Sequence, residues 1–450
     1  MKSLALTVGA VALALTLAGC SDEQRLPGER YDIRSPEGLA LAGAGAVPRI
    51  DGAMPASAMS RNVPFSMPAQ VNHTSWTHRG GSPAHRLQHP ALGPTLTQVW
   101  SARIGAGETR KAKITADPVV ADGRVFTLDA QSTVSGLSTG GGTLWSRNLT
   151  PPSDRTGDAS GGGLAIGGGR MLVTTGFGEL HALDPATGGT LWVQDFDAPV
   201  SGAPTIFGDL VYVSSRDNRA FAVRASDGRL QWELPAAPTA SATVNGAGPA
   251  VTDRVAVFPF GSAELVATLR RGGIRLWTAI LAGQRRGRAY AGVSDISSDP
   301  VIVGNTLYAG SPSGRIAAID VNNGERIWTA TEGAMSPVVV ESGSVFAVTD
   351  IQQLVRIDAA TGEVIWATDL PGFKNSRPRR HQAVFAHYGP VLAGGRLVVA
   401  SDDGYIRSFS PQSGALLSQV PIPGGATTNP VVVNRTLYVV TTKGELLAFR

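Results

Sequence analysis

Short apolar runs that alternate with polar positions recur along the chain, broken by Gly, Asn, Asp and Ser-Gly. One stretch reads Asp299-Pro300-Val301-Ile302-Val303, then Asn305-Thr306-Leu307-Tyr308-Ala309, then Gly314-Arg315-Ile316-Ala317-Ala318-Ile319-Asp320, then Asn323-Gly324-Glu325-Arg326-Ile327-Trp328. A period of two, with turn residues between the runs, predicts strands joined by tight reversals. No stretch beyond the N-terminus carries a helical period.

The same unit repeats. A glycine is followed four residues later by a tryptophan at Gly141/Trp145, Gly188/Trp192, Gly228/Trp232, Gly273/Trp277, Gly324/Trp328 and Gly362/Trp366. The tryptophans are 47, 40, 45, 51 and 38 residues apart, the length of one four-stranded propeller blade. Pro118, Leu164, Pro204, Pro249, Pro300, Pro337, Pro390 and Pro430 mark the openings of eight units. The seventh carries Ser418 where the others carry tryptophan, and the eighth reaches Arg450 with no room for a final strand. Residues 96–102, which include Trp100, are expected to supply that strand and close the ring, removing the free sheet edges. The predicted fold is all-β: an eight-bladed β-propeller of four-stranded antiparallel blades, closed by an N-terminal strand. A lone blade leaves a face uncovered, and a large aromatic at a fixed place suits the seam between blades. Trp100, Trp145, Trp192, Trp232, Trp277, Trp328 and Trp366 are therefore read as blade-docking residues.

The N-terminus has a different pattern. Lys2 precedes an apolar run from Leu4 to Leu17 that is too short for a permanent membrane span. Leu17-Ala18-Gly19-Cys20 resembles a bacterial lipobox, and Cys20 is the only cysteine. That resemblance implies a signal peptide over 1–19, a lipidated Cys20 and a membrane-held chain, with Ser21 pointing to the outer membrane. A single cysteine excludes an intramolecular disulfide. Residues 20–75, rich in Pro, Ala, Gly and Ser, read as a flexible tether, with the propeller over 76–450. The net charge of +4, with 16% charged residues, is low and scattered, which argues against a nucleic-acid binder.

Candidate chemistry is sparse. His73, His78, His85 and His89 crowd the lead-in without metal-site spacing and read as solvated loop residues. His181 reads as a strand residue. Gly161 to Gly163 and Gly167 to Gly169 read as turns. Arg285, Arg286 and Arg288, and Arg377, Arg379 and Arg380 beside His381, fall in long insertions between units, where binding residues concentrate on rigid scaffolds.

The Asp-x-x-x-Gly-x-x-x-Trp unit resembles the repeats of pyrroloquinoline-quinone dehydrogenases, and Trp76 to Arg86 resembles the segment leading into their propeller. Those enzymes use an adjacent cysteine pair over the quinone, which this chain lacks, so no cofactor or metal is expected. Lipobox, tether, eight such blades and a seventh without its tryptophan together resemble the BamB family, lipoproteins of the outer-membrane β-barrel assembly machinery. The resemblance implies a non-catalytic scaffold at the periplasmic face of the outer membrane of a Gram-negative bacterium. Its partner would be the periplasmic domains of the barrel-inserting subunit BamA, with unfolded outer-membrane clients also possible. A family contact loop matches Ser294, Asp295 and Ser297, Ser297 replacing an acid. A second aligns with a stretch holding Thr243 and Val244 and keeps neither its leucines nor its arginine, so the contact chemistry differs. Arg286 and Arg288 complete the partner-binding set. The alternative readings are a quinone-dependent dehydrogenase and a cell-wall or carbohydrate-binding disc using Tyr290, Phe373, Phe385 and Tyr388.

Overall fold

The computed structural model describes residues 61–200, 202–239, 246–283 and 295–450. Among the described residues, thirty-two strands form eight four-stranded antiparallel sheets in ring order. Blade 5 is typical, with strands Val301–Val303, Thr306–Ser311, Arg315–Asp320 and Arg326–Ala330 from the axis outward. Blade 8 takes Val431–Val433, Thr436–Val440 and Glu445–Phe449 from the C-terminus and Gln98–Arg103 from the N-terminal side. Trp100 lies opposite Ala448 and Ser101 opposite Leu447. Arg450 N donates to Thr97 O at 2.9 Å, and Thr97 N to Arg450 O at 2.6 Å. The expected closing strand is thus in place.

The repeated glycine and tryptophan meet across blades rather than within one. A Cβ added at Gly188 would sit 2.5 Å from the indole of Trp145, and one at Gly362 would sit 2.6 Å from Trp328. Each tryptophan covers the turn glycine of the next blade, and these glycines also adopt positive φ (71° at Gly188, 76° at Gly362). The indole N–H then donates to a carbonyl of that turn. Trp145 reaches Pro185 O at 3.1 Å, Trp277 reaches Val321 O at 2.9 Å and Trp328 reaches Ala359 O at 2.9 Å. Trp100, Trp192 and Trp366 do the same, while Trp232 packs alike without an acceptor for its N–H. A bulge just before each tryptophan aims the ring. In blade 5, Ala318 opposes Trp328 but Ile319 opposes Arg326, leaving Ile327 as the extra residue.

Strand order gives the disc two unlike faces. One carries the turns between first and second and between third and fourth strands, including the glycine turns above. The other carries the turns between second and third strands and the described connections between blades, which are bonded to one another, as Leu149 N to Ser132 O and Leu281 N to Ala263 O.

Two expectations need correction. Gly162 and Gly163 lie in the innermost strand of blade 2, Gly162–Gly167, rather than in a turn. A Cβ at Gly163 would sit 2.4 Å from Ala203 Cα of the neighbouring blade, so crowding near the axis explains the glycine. The segment read as loose tether up to residue 75 is bonded to the disc from Arg61 onward. Arg61 N donates to Ile365 O at 2.8 Å on the outer strand of blade 6, and Arg356 donates to Val63 O and Pro64 O at 2.8 and 3.0 Å. Phe65 meets Phe346 edge-on at 5.4 Å. Cys20 and the signal segment lie outside the described residues.

Candidate functional site

The lead-in makes one full circuit over the axis on the turn face, touching the inner edge of every blade in ring order. His73 O accepts from Asn434 N of blade 8, Trp76 exchanges backbone bonds with Val120 of blade 1, and Thr77 O accepts from Ile166 N of blade 2. His78 Nε2 lies 3.2 Å from Ile206 N of blade 3. Pro83 O and Ala84 O accept from Val251 N and Ile302 N of blades 4 and 5. Arg86 faces Glu341 of blade 6 at 3.5 Å, and His89 Nε2 accepts from Gly395 N of blade 7 at 2.8 Å. The segment is a plug. Its partners are backbone groups that the inner strands leave unpaired at the ring centre, groups that need a partner once buried.

Beneath the plug, Arg79 runs along the axis. Its Nε lies 3.2 Å from Asp117 Oδ2 of blade 1 and 3.1 Å from Asp299 Oδ2 at the start of blade 5, and these blades stand opposite in the ring. Asp117 also accepts from Asn429 N at 2.9 Å and Asn429 Nδ2 at 2.7 Å, and Asp299 accepts from Gly248 N at 2.6 Å. Burial first, and the Asp299 charge with it, push the Asp117 carboxyl up against the pull of Arg79. Between plug and blades 5 to 8 lies an axial chamber of about 680 Å³ including its open mouth, walled by Trp76, Leu87, Val338, Val391 and Val431 with Asp117 and Asn429 at its polar end. Among the described residues no His, Cys, Asp and Glu group has the geometry of a metal site.

The histidines of the lead-in correct the solvated-loop reading, because His78, His85 and His89 are buried. Burial, and then the neighbouring His85, push His78 down to about 3. Burial lowers His85 and His387 as well. His181 sits on the third strand of blade 2 as expected, its Nε2 2.9 Å from Glu179 Oε2. The lowered groups predict a pH effect. Once unfolded, each imidazole takes up a proton near pH 6.5, and the folded ring refuses it. The stabilising contribution is complete above about pH 6.5 and is lost as pH falls toward 3. At pH 5, His78 alone costs about 2 kcal/mol. Asp117, pushed up, opposes the trend. Denaturant midpoints at pH 7.5 and pH 5 check this: the wild type should weaken, and His78→Gln should flatten the slope. Equal midpoints for the wild type would refute it.

Most of the residues expected to bind a partner fall outside the described structure. Ser294, Thr243, Val244, Arg286 and Arg288, like Tyr290, lie outside the described residues. Asp295 and Ser297 are described, and both are buried, at 4% and 5% exposure. Ser297 Oγ donates to Ala334 O at 3.3 Å and Ser298 Oγ to Ser336 O at 2.8 Å, while Asp295 carries its charge toward Arg216 of blade 3. Residues 295–299 stitch three inter-blade connections together, so in this chain they fix the path of the loop rather than offer surface. Of the aromatics, Phe373 is exposed, Phe385 lies half-buried under Lys374 with 5.7 Å from Nζ to the ring, and burial pushes the Tyr388 phenol up. The plug and its Arg79 bridge were missed as a unit. Their signal was the cluster of Trp76, His78, Gly80, Gly81, His85 and His89, which stands outside the repeat.

Comparison with known proteins places the chain. The model of the family described as outer membrane protein assembly factor BamB matches residues 130–368, more than half of the chain. The outer membrane protein assembly factor BamB of Moranella endobia (strain PCIT) is 22% identical over 361 residues, covering 78% of this chain and 89% of that protein. The crystal structure of BamB from Moraxella catarrhalis superposes with a TM-score of 0.66 at 21% identity, over 79% of this chain and 100% of that one. A europium-containing methanol dehydrogenase reaches 0.64 at 14% identity, over 84% and 98%, and shares the propeller fold. The curated relatives are described as outer membrane protein assembly factors. The chain, a ring closed by its N-terminal strand and matched over most of its blades, belongs to the BamB family of outer membrane protein assembly factors.

Proposed function

We propose that this protein is a lipid-anchored scaffold at the periplasmic face of the outer membrane, docked on the periplasmic domains of the barrel-inserting subunit BamA and assisting the assembly of β-barrel proteins. The observation that carries the reading is the division of labour between the faces. The plug covers the axis on one face, and the described connections between blades emerge on the other, beside the turns between second and third strands, from rigid, interlocked blades. Loops positioned by a rigid scaffold are where binding residues concentrate. A specific dock needs about 800 Å² per partner, which a few adjacent connections of such a disc supply. The connections after blades 3 and 4, with Thr243, Val244, Arg286, Arg288 and Ser294, form the contact, and buried Asp295 and Ser297 hold the second loop in its course.

The test is capture. Full-length tagged protein, extracted in mild detergent, should bring down the barrel-inserting subunit. Arg286→Glu with Arg288→Glu should cut capture at least tenfold, about 1.4 kcal/mol, with the denaturant midpoint unchanged. Asp295→Arg should cut capture together with the midpoint, because it places a cation inside the loop belt beside Arg216. Absence of any such partner from wild-type eluates would defeat the proposal.

A further inference from the structure

The connection from blade 6 to blade 7 is a built hairpin. Phe373 and Val384 form an antiparallel bridge, Lys374 N donates to Ala383 O at 2.9 Å and Phe385 N to Gly372 O at 2.7 Å, and Pro378–Arg380 makes a 3-10 turn at the tip. Its base is pinned. His387 Nε2 lies 2.8 Å from Pro371 O, and Asp402 accepts from Ala386 N at 2.9 Å while pairing with Lys374. The tip is left in water: Arg377, Arg379 and Arg380 are exposed, and so are Phe373 at 37% and Val384 at 40%.

Residues 370–386 hold Lys374, Arg377, Arg379, Arg380 and His381 and no Asp or Glu. Other described connections differ. Lys113 is paired with Glu108 at 2.9 Å, and Asp154 and Asp158 flank Arg155.

We propose that this hairpin binds the anionic phospholipid headgroups of a membrane surface. Guanidinium groups match phosphate oxygens in a fork, and an unpaired cluster of them is drawn to anionic lipid. Phe373 and Val384, exposed beside the cations, enter the interfacial layer as apolar groups of membrane-surface elements do. Phe373 stacks one face of its ring on His381 at 3.9 Å, and an acidic protein patch would match the arginines but leave Val384 and the outer face of Phe373 without an apolar partner.

The test uses the full mature chain with Cys20→Ser, so that no acyl chain contributes, floated with vesicles of phosphatidylglycerol and phosphatidylethanolamine or of phosphatidylcholine alone. The wild type should float with the anionic vesicles, weaken as salt rises, and stay behind with the neutral ones. Arg377→Glu, Arg379→Glu and Arg380→Glu combined should lose at least tenfold in affinity, with an unchanged denaturant midpoint, since the tip supports no blade. Phe373→Ser with Val384→Ser should lower binding while leaving its salt dependence. Equal flotation with both vesicle types, or undiminished binding by the triple variant, would overturn the proposal. So would a triple variant that keeps its vesicle binding and loses only capture of the barrel-inserting subunit, whereas the reverse pattern supports the lipid site and leaves the docking proposal standing.

Discussion

Replacing Arg79 by methionine will destabilise the ring by about 3–5 kcal/mol, the cost of stripping one partner from a buried ion pair. The guanidinium stands between Asp117 and Asp299 at 3.2 and 3.1 Å, with all three side chains buried. Methionine fills much of the same volume, so the loss reports charge rather than a cavity. It leaves two carboxylates inside the channel with no cation between them, on blades at opposite sides of the ring. Both are buried, and each prefers to protonate or to move outward. Arg79→Met combined with Asp117→Asn and Asp299→Asn should recover most of the loss, because neutral amides remove the uncompensated charge and Asn can still bond Asn429 and Gly248. Denaturant midpoints of the single and triple variants, with proteolysis of residues 61–92 as a second reading, decide the matter. A single variant within 1 kcal/mol of wild type would mean that the axial bridge holds nothing together.

That bridge also shows where the sequence is readable and where it is not. The blades were legible because each repeats the same solution, a turn glycine and an indole at fixed spacing, and a period survives any single substitution. The closing strand was legible by counting, since the last unit lacked a strand that Trp100 and its neighbours could supply. The plug was not. It has no period, and its partners are backbone groups of seven blades spread from Val120 to Asn434, with the Glu341 carboxylate in the remaining one. His78, His85 and His89 therefore looked like solvated loop residues, although each accepts or donates a bond inside the ring. Asp299 passed as the opening of its unit and Asp117 stood unremarked before Pro118, when both are counter-charges of Arg79. The surroundings of Asp295 were hidden for a related reason. Alignment can place Asp295 at a family contact position, but only packing reveals that its neighbours Ser297 and Ser298 are bonded inward to Ala334 and Ser336.

The substitution Trp366→Ala will cost about 3–5 kcal/mol, while Ser418→Trp, which restores the repeat consensus, will change stability by less than about 0.5 kcal/mol or lower it. Trp366 is 2% exposed, packs against Phe346 and donates its N–H to Pro411 O at 3.1 Å. Its ring lies over Gly414, where an added Cβ would come within 2.6 Å of it, so alanine leaves a cavity that the turn of blade 7 cannot collapse to fill. Ser418 occupies the equivalent place in blade 7, and the next turn along should belong to blade 8. Blade 8 has no such turn. Between its third and fourth strands the chain is broken, with Arg450 on one side and Thr97 on the other. An indole at Ser418 would find neither a turn glycine to cover nor a turn carbonyl to accept its N–H. The lost tryptophan of the seventh unit and the split eighth blade are one feature of how this ring is closed. Melting of the two variants side by side tests the link: if Ser418→Trp stabilises the protein as much as Trp366→Ala weakens it, the seam accepts an indole like any other turn and the explanation is wrong.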